Sequence, residues 1–385
     1  MSTGVLYPRG FRAAGVAAGL KSSGDPDVAL VVNDGPLDTA AAVFTANRVR
    51  AAPVLWSEQV VADGRIRAVV LNSGGANACT GPDGFADTHR TAEHVADRLG
   101  VGAGEVAVCS TGLIGRRLPM PHLLAGIDAA MIALPDGTGE DAARAICTTD
   151  SHAKQATVDG DGWRIGAMVK GAGMLAPSLA TMLCVITTDA VLDAATADQA
   201  LRDTVRITFD RIDSDGCMST NDTVLIMASG ASQTTPAPAQ FGAALRTLCA
   251  DLVAQLLADA EGSTKDVTIE VIRAATEDDA VEVGRVIARN NLLKCALFGA
   301  DPNWGRVLAA VGTTTATFDA ADLDVSMNGV AVCRAGGVGD DPDAVDLSGR
   351  TVHILVDLHA GHATATILTN DLSHAYVHEN SAYST

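Results

Sequence analysis

The sequence has few aromatic residues, few basic residues and no long apolar run. Aromatic residues make up 3% of the chain and hydrophobic residues 48%, so a core of Ala, Val, Leu and Ile is expected. Lys and Arg number 27 against 46 Asp and Glu, which argues against partners that select basic surfaces, nucleic acid and anionic membranes. No apolar run approaches the ~18 residues of a membrane-spanning helix, and the N-terminal stretch lacks the apolar core of a signal peptide. We therefore expect a cytoplasmic protein with neither a nucleic-acid nor a membrane partner.

The eight cysteines do not form a metal or disulfide pattern. No pair has C-x-x-C spacing, and most lie in apolar surroundings, as Cys109, Cys147 and Cys184 do, which is typical of reduced core thiols. The H-E-x-x-H pattern of zinc enzymes is absent. An acidic loop, FDRIDSDGCMSTND, matches part of a calcium-binding register but has Arg211 at the first ligand position. The sequence therefore predicts no metal site.

Short strands alternate with helices along the chain, which is the pattern of an α/β protein. At 385 residues the chain exceeds the usual size of a single core, so two domains or one large layered domain are expected. Asp193 is a predicted helix N-cap, and Asn328-Gly329 predicts a hairpin turn. The predicted strands are 28–32, 42–45, 67–71, 106–109, 155–158, 163–168, 223–227, 267–272, 352–357 and 364–368, and the predicted helices are 85–99, 121–133, 140–146, 193–207, 241–260 and 278–287.

The stretch KGAGMLAPSLATMLCVITTDA, residues 170–190, changes character in its middle. It opens with glycines and a proline, and continues as an apolar, β-branched run that predicts a buried strand. Thr181 stands at the junction, directly after Ala180. It has two interpretations: a strand residue, since Thr suits a pleated surface, or a nucleophile activated by cleavage of the preceding peptide bond. Such a cut would free an α-amine with a pKa of roughly 7.7 to 8.0, a base beside the hydroxyl.

Three further positions each allow an ordinary and a chemical interpretation. Thr111-Gly112, after a predicted strand, is either a simple turn or a set of donors for a developing oxyanion. Lys170 is either a solvated lysine or, because glycines follow it, a side chain open to a bound carboxylate. Glu261 stands at the predicted end of a long helix, where the helix dipole disfavours an anion, so it either holds a substrate ammonium or pairs with Lys265.

Two other features favour the ordinary interpretation. The stretch NSGGANACTG, around Gly74-Gly75, fits neither a phosphate loop nor a dinucleotide pattern, so a turn before a helix is the default. His152 is the histidine nearest to Thr181 in sequence, but no histidine belongs to a recognisable triad motif.

Seven motifs, in order along nearly the whole chain, resemble the ornithine acetyltransferase family, also called glutamate N-acetyltransferases of the cyclic arginine pathway. They are STGLIG (110–115), CTTD (147–150), VKGAGMLAPSLATML (169–183), DGCMSTNDT (215–223), EGSTK (261–265), FGADPNWGR (298–306) and ENSAYST (379–385). The resemblance implies a layered α/β sandwich of sheets and helices with a smaller second α/β domain. It also favours the nucleophile interpretation of Thr181.

The resemblance further implies a precursor that cuts itself between Ala180 and Thr181, leaving chains 1–180 and 181–385 that assemble as an α2β2 heterotetramer. Thr181 would take the acetyl group of N2-acetylornithine and pass it to glutamate in a ping-pong cycle without a cofactor. Some family members also use acetyl-coenzyme A. Thr111 and Gly112 would form the oxyanion hole, and the substrate-binding residues would be Thr148, Lys170, Thr181, Glu261, Asn380 and Thr385.

Two alternatives stay open at this point. An N-terminal-nucleophile amidohydrolase or aminopeptidase would use the same threonine but send its acyl group to water. A non-catalytic binding protein of the same fold would show no cleavage at all.

Overall fold

The computed structural model describes residues 4–176 and 182–382. These residues form fifteen strands in three sheets, together with ten α-helices. The strands are β1 (Phe11–Val16), β2 (Val28–Asn33), β3 (Thr39–Phe44), β4 (Ala68–Asn72), β5 (Val106–Ser110), β6 (Lys154–Asp159), β7 (Arg164–Lys170), β8 (Leu183–Thr188), β9 (Thr223–Ala228), β10 (Asp266–Ala274), β11 (Asp324–Met327), β12 (Val330–Arg334), β13 (Gly337–Val338), β14 (Thr351–Asp357) and β15 (Ala363–Asn370). The helices are α1 (Ala52–Val60), α2 (Gly81–Leu99), α3 (Met120–Ala133), α4 (Gly139–Ile146), α5 (Ala194–Ile207), α6 (Pro238–Ala258), α7 (Glu277–Ala288), α8 (Asn291–Phe298), α9 (Trp304–Val311) and α10 (His374–Ala382).

A larger lobe is built from two stacked sheets with helices on both outer faces. The first sheet has the order β1-β2-β4-β5 and the second β3-β9-β8-β7-β6. One apolar core lies between the sheets, a second joins the first sheet to α2 and α3, and a third joins the second sheet to α5 and α6. Every residue of β2, β4, β5, β8 and β9 is buried. Strands covered on both faces read as continuous apolar runs, which is why the sequence pattern identified them.

A smaller lobe, from β10 to β15, is a single mixed sheet covered on one face. Its order is β13-β12-β11-β14-β10-β15, and α7, α8 and α9 pack on the covered face. β10 alternates between buried and partly exposed residues, as expected for a sheet with one open face. This two-lobed, layered α/β architecture confirms the expected fold class.

Several local predictions are confirmed, and some elements were missed. The Asp193 side chain accepts a hydrogen bond from the Thr196 amide at 2.8 Å at the start of α5, and β11 and β12 meet at Asn328-Gly329. The sequence pattern missed β1 and the helices α1, α8, α9 and α10. Helix α6 ends at Ala258, so it does not reach Glu261.

Among the described residues one helix, α6, is long and apolar enough to cross a membrane by length and composition alone. Half of its most apolar segment is buried within the protein, where it packs against α5, β6 and β7. In this fold α6 is a core helix of the larger lobe.

Strand ends from both sheets of the larger lobe meet at one edge. β7 runs antiparallel to β8 with Lys170 opposite Leu183, and β8 runs parallel to β9 with Leu183 beside Thr223. β5 of the facing sheet ends at Ser110, and Asn221 links this end to the start of β9 because its side-chain amide donates to the Ser110 carbonyl at 2.8 Å. The loops that leave these strands therefore surround a common space.

Candidate active site

A cavity of about 110 Å³ lies where these strand ends meet. Its walls come from loops on both sides of residue 181 in the sequence and from α10 near the C-terminus. Six of the residues predicted to bind substrate or stabilise an oxyanion line it, namely Thr111, Gly112, Thr148, Lys170, Glu261 and Asn380. Ala180, Thr181 and Thr385, the other predicted site residues, lie outside the described residues.

The Thr111-Gly112 turn presents two donors to this cavity. The Thr111 amide is not one of them, since it donates to the Asn72 carbonyl at 2.9 Å. The Gly112 amide has no acceptor among the residues that the structure describes. Lys170 Nζ lies 3.4 Å from Thr111 Oγ1 and donates to it, which leaves the proton of the threonine hydroxyl to be donated to another group. The Gly112 amide and the Thr111 hydroxyl can therefore together bind an oxyanion.

Glycine is required at position 112 by both conformation and space. Its φ is +126°, a backbone region that side-chain-bearing residues rarely adopt. A Cβ atom there would lie 2.9 Å from both Cα and N of Gly75. The stretch around Gly74-Gly75 is an irregular loop before α2, and its backbone forms the surface against which the Gly112 turn packs.

Lys170 is buried, so its interpretation as a solvated lysine is wrong. Only 2% of its surface is exposed, at the end of β7. Burial lowers the pKa of its ammonium group, and the nearby Asp150 carboxylate opposes that effect. A buried lysine at the floor of a cavity is a positive charge available to an anionic group of a ligand.

Asp150 organises the loop beside Lys170, and the sequence analysis gave it no role. One carboxylate oxygen accepts hydrogen bonds from Lys154 Nζ at 2.6 Å and from the Gly171 amide at 2.7 Å. The other accepts the Thr148 amide at 3.0 Å. Burial acts to raise the pKa of Asp150, but the charges of Lys170 and Lys154 hold it at about 2. The only sequence signal for Asp150 was its place as the last residue of the CTTD motif.

Glu261 lies in the turn after α6, close to the glycine-rich stretch. Its backbone amide donates to the Ala172 carbonyl at 2.9 Å, and its carboxylate accepts the Thr149 hydroxyl at 2.7 Å. A Cβ atom on Gly173 would lie 2.5 Å from the Glu261 Cδ atom. Gly173 therefore makes room for the Glu261 carboxylate, whereas the sequence pattern predicts that the glycines open Lys170 to a bound ligand.

The alternative pairing of Glu261 with Lys265 is wrong. Lys265 Nζ donates to the carbonyls of Leu347 and Gly349, at 2.6 and 2.7 Å, and so ties the smaller lobe to the turn. The Glu261 carboxylate is left facing the cavity.

The residue that follows Thr181 in the chain, Met182, is held in place by a buried carboxylate. The Met182 amide donates to Asp222 Oδ1 at 3.0 Å, and the Met182 carbonyl accepts the Thr223 amide at 3.1 Å. Asp222 is fully buried, and burial raises the pKa of its carboxyl group well above its usual range, although the Lys170 charge opposes this.

The loop before β9 supplies another wall, and the sequence analysis gave its residues no role either. Asn221 donates to the carbonyls of Ala76 and Ser110, at 2.6 and 2.8 Å, and accepts the Thr220 hydroxyl at 2.5 Å. These bonds fix the Thr111-Gly112 turn relative to the second sheet. Thr220 and Asn221 both belong to the DGCMSTNDT motif, which is the only feature of the sequence that pointed to them.

Two other predicted positions lie at the edge of the site. Asn380 is exposed on α10, where its side chain donates to the Tyr376 carbonyl at 3.0 Å and lines the mouth of the cavity. His152 is exposed beside Asp259, with 3.7 Å between its Nδ1 atom and the carboxylate, and it does not line the cavity.

One group of side chains in the described part of the chain has the spacing of metal ligands, and it lies in the smaller lobe. Asp324, Asp357 and His359 bring their ligand atoms within 4.8 Å of one another. The Arg273 guanidinium donates to Asp357 at 2.8 Å and lies 3.0 Å from the His359 ring. Since a protein cation already balances this group, it does not support a metal site.

Comparison with known proteins identifies a family over nearly the whole chain. The ArgJ family model matches residues 12–385. The arginine biosynthesis bifunctional protein ArgJ of Streptomyces coelicolor is 64% identical over 380 residues, covering 99% of this chain and 99% of the relative. The protein of the same name from Mycobacterium tuberculosis strain H37Rv is 59% identical over 389 residues, covering 99% of this chain and 96% of the relative.

Solved structures with related sequences give partial superpositions. The crystal structure of an ornithine acetyltransferase from Mycobacterium tuberculosis, complexed with ornithine, shares 58% identity, covers 47% of this chain and 96% of the solved chain, and has a TM-score of 0.45. The ArgJ structure from Bacillus halodurans shares 34% identity, covers 51% and 97%, and has a TM-score of 0.49.

Proposed function

The chain belongs to the ArgJ family, and we propose that Thr181 carries the acetyl group that it transfers. As a bifunctional member of this family, the protein is an ornithine acetyltransferase of arginine biosynthesis, with glutamate N-acetyltransferase and amino-acid acetyltransferase activity. The observation that carries the proposal is that Thr111, Gly112, the buried Lys170 and Glu261 line one cavity, so that two oxyanion donors, a cation and a carboxylate are brought together.

The nucleophile is made by cleavage between Ala180 and Thr181. The Thr181 hydroxyl attacks the Ala180 carbonyl carbon, the peptide nitrogen leaves as the new α-amine, and water then hydrolyses the ester that joins the two chains. The products are chains of 180 and 205 residues. The fold supports this cut because β7 and β8, on either side of it, remain neighbours in one sheet.

Acetyl transfer then uses the two groups of the new N-terminus. The Thr181 hydroxyl attacks the acetyl carbonyl of N2-acetylornithine while its proton passes to the α-amine. The Gly112 amide and the Thr111 hydroxyl stabilise the negative charge of the tetrahedral intermediate. The C–N bond breaks, the proton moves from the α-ammonium to the departing ornithine amine, and acetyl-Thr181 remains. The neutral α-amino group of glutamate attacks this ester and leaves as N-acetylglutamate, which restores the hydroxyl.

Charge matching assigns the two ends of the substrate. Lys170 is the buried cation of the cavity and binds the α-carboxylate, and at the same time its hydrogen bond orients the Thr111 hydroxyl. Glu261 binds the side-chain ammonium of ornithine. Thr148, Asn380 and Thr385 complete the pocket. Glutamate carries a carboxylate where ornithine carries its ammonium, so Glu261 is expected to contribute less to binding of the acceptor, glutamate, than to binding of the donor, acetylornithine.

The amino-acid acetyltransferase activity implies a second donor. Acetyl-coenzyme A would acetylate the same threonine through the same oxyanion donors, with the thiolate in place of the ornithine amine as the leaving group. We propose a cytoplasmic enzyme in which two copies of each chain assemble as an α2β2 heterotetramer.

Mass spectrometry of the purified protein tests this function. The wild type is expected to show two chains, 1–180 and 181–385, and incubation with acetylornithine should add one acetyl group to the chain that begins at Thr181. The T181A variant should stay as one chain. An uncut wild type would support a non-catalytic protein of this fold, and release of acetate without acetylglutamate, when glutamate is also present, would support the hydrolase.

A further inference from the structure

We propose that Arg289 binds the side-chain carboxylate of the acceptor, glutamate, in a second cavity that adjoins the first at Glu261. The two amino acids of the proposed cycle differ in the charge at the end of the side chain, and the structure offers a separate group to each charge. The inference rests on the proposed function and adds to it the residue that distinguishes the acceptor from the donor.

The chemistry of the cycle requires a second binding group. Donor and acceptor both place their α-amino nitrogen at the nucleophile, acetylated in one and free in the other, so both have their α-carboxylate at Lys170. Their side chains therefore start from the same point. The ornithine ammonium pairs with Glu261, whereas the same residue repels the glutamate carboxylate, which needs a cation instead.

A second cavity lies at the boundary between the two lobes. Its volume is about 370 Å³, against about 110 Å³ for the first. The larger lobe contributes residues 214–216 of the loop before β9, and the smaller lobe contributes the segment that joins α7 to α8 and residues 370–372 after β15. The second cavity therefore has room for the end of a substrate side chain.

Glu261 and α10 connect the two cavities. Glu261 lines both of them. On α10, Asn380 lines the first cavity and Tyr376, one turn earlier, lines the second, and the Asn380 side chain donates to the Tyr376 carbonyl at 3.0 Å. The start of α10 is tied to the turn that carries Glu261, because Ser373 Oγ accepts the Tyr376 amide at 3.0 Å and donates to the Gly262 carbonyl. The cavities are thus neighbours on either side of the Glu261 side chain.

Arg289 is the cation that the second cavity offers to a ligand. Among the described residues, the basic side chains that line the two cavities are Lys170, Lys294 and Arg289. Lys170 is assigned to the α-carboxylate. The ammonium of the buried Lys294 has three protons, and all three are donated to protein oxygens, those of Ser214, Thr369 and Asn370.

Asp213 fixes one side of the Arg289 guanidinium and leaves its outer end open. Arg289 Nε donates to Asp213 Oδ2 at 2.8 Å, and the side chain lies over Gly216, where a Cβ atom would be 3.7 Å from Arg289 Cγ. The terminal nitrogens have no acceptor in the part of the chain that the structure describes, and 47% of the side chain is exposed. Two such nitrogens form a planar fork that matches the geometry of a carboxylate.

The other polar groups of the second cavity are compatible with a bound carboxylate. Asp215 and Asp371 each accept two backbone amides, at 2.8 to 3.0 Å, and neither forms an ion pair with Arg289. Burial and the charges of Asp215 and Glu261 raise the pKa of Tyr376 to about 12, so its hydroxyl keeps its proton at neutral pH. Tyr376 is therefore a further donor on the same wall.

The R289Q variant tests the assignment through kinetics in which the two substrates are varied separately. In a ping-pong cycle, kcat/KM for each substrate reports only the half-reaction of that substrate. We expect kcat/KM for glutamate to fall about tenfold, mainly through KM, because a charge-assisted contact is lost. The value for acetylornithine should stay within about twofold, since the ornithine side chain carries no carboxylate. Rates are normalised to the fraction of cleaved protein.

Glutamine as the acceptor gives a readout that a merely structural defect would not change. It has nearly the size of glutamate but no side-chain charge. We expect the wild type to prefer glutamate over glutamine by about tenfold or more in kcat/KM, and R289Q to reduce this preference to about threefold or less. A preference that is the same in both proteins would overturn the proposal.

The matched control is R350Q. Arg350 Nε also donates to an aspartate, Asp266, at 2.8 Å, and 42% of its side chain is exposed. It joins the lobes as well, because its guanidinium donates to the Ala258 carbonyl at 2.9 Å, but it lines neither cavity. Glutamate kinetics should therefore match the wild type. An equal loss in both variants would show a general effect of breaking a contact between the lobes and would overturn the proposal.

The outcomes separate this inference from the proposed function. A wild type that is uncut, or that is not acetylated on Thr181, refutes the function itself. A normal wild type refutes only the role of Arg289 if R289Q lowers kcat/KM for glutamate by less than about threefold, or lowers it equally for acetylornithine. Should R289Q not fold, R289K keeps a cation for Asp213, but one ammonium cannot also present a fork to a ligand. An unchanged kcat/KM for glutamate in R289K would likewise overturn the proposal.

Discussion

A single added methyl group, at Gly112, is expected to displace one of the two proposed oxyanion donors, the Gly112 amide. In the G112A variant the new Cβ atom would lie 2.9 Å from both Cα and N of Gly75. These are backbone atoms that cannot rotate away, and the φ of +126° at this position is unfavourable for alanine. The turn must therefore shift and carry the Gly112 amide away from the cavity.

The expected loss of activity follows from the narrow range of useful donor distances. A donor stabilises an oxyanion only within about 2.7 to 3.1 Å of it, and removal of one such donor typically lowers kcat by about 10² to 10³-fold. We expect a loss of this size for acetyl transfer from acetylornithine to glutamate. KM should change little, because the carbonyl carries no full charge before attack. The measurement is steady-state kinetics normalised to the fraction of cleaved protein, which mass spectrometry determines.

The G115A variant separates displacement of the donor from backbone strain. Gly115 also has a positive φ, of +79°, but a Cβ atom there would meet no atom within 4 Å. The strained backbone should lower the free energy of unfolding of both variants by roughly 1 to 3 kcal/mol, whereas only G112A should lose activity. If cleaved G112A kept a kcat within threefold of the wild type, or if G115A lost as much, the assignment of the Gly112 amide to the oxyanion hole would be wrong.

Three further predictions concern the rest of the cavity. The pKa of Asp150 is about 2 in the folded protein against 3.8 as a reference, so its stabilisation of roughly 2 kcal/mol is present above pH 3.8 and is lost as the pH falls toward 2. In a T181A background, which keeps one chain, D150N should therefore lower the Tm at pH 7, and the Tm difference should shrink as the pH approaches 2. An alanine at Gly173 would push the Glu261 carboxylate aside, so G173A and E261Q should each raise KM for acetylornithine, and the double variant should be no worse than E261Q alone. Independent, additive effects would contradict that coupling. T111V keeps the shape of the side chain but loses the hydroxyl donor, so kcat should fall by about tenfold or more. The cleaved variant should bind acetylornithine with the same affinity as the cleaved wild type.

Most of the buried strands could be predicted from sequence, because a strand that is buried on both faces is an uninterrupted run of apolar residues. The strands β2, β4, β5, β8 and β9 were found in this way. Helix α1 was missed because its apolar residues follow no clear helical period, and β1 because it is partly buried along its length. The smaller lobe was predicted only in part, since the short helices α8 and α9 depend on packing against its sheet.

The site shows what local patterns cannot supply. Lys170 looked solvated because its neighbours in sequence are glycines, yet its neighbours in space are Thr111 and the Asp150 carboxylate. Glu261 does line the cavity, but the reason first given for it, a position at the end of a helix, is wrong, since α6 stops at Ala258. Asp150 accepts the amide of Gly171 and Asp222 that of Met182, which lie 21 and 40 residues away in the chain, and no spacing rule within one segment could reveal these two contacts.

The position of the predicted cut relative to the sheets bears on how the two chains would stay together. The lobes divide near the start of β10, whereas the cut lies at residue 181 inside the larger lobe. Its five-stranded sheet takes β3, β6 and β7 from before the cut and β8 and β9 from after it, with β9 inserted between β3 and β8. The core between the two sheets also draws on both segments. The proposed cleavage would therefore remove one peptide bond without removing a contact of the sheet, so the gain of a reactive N-terminus would cost the fold little. The same interleaving would put the proposed oxyanion donors on the first chain and the proposed nucleophile on the second, so that neither chain alone would contain a complete site.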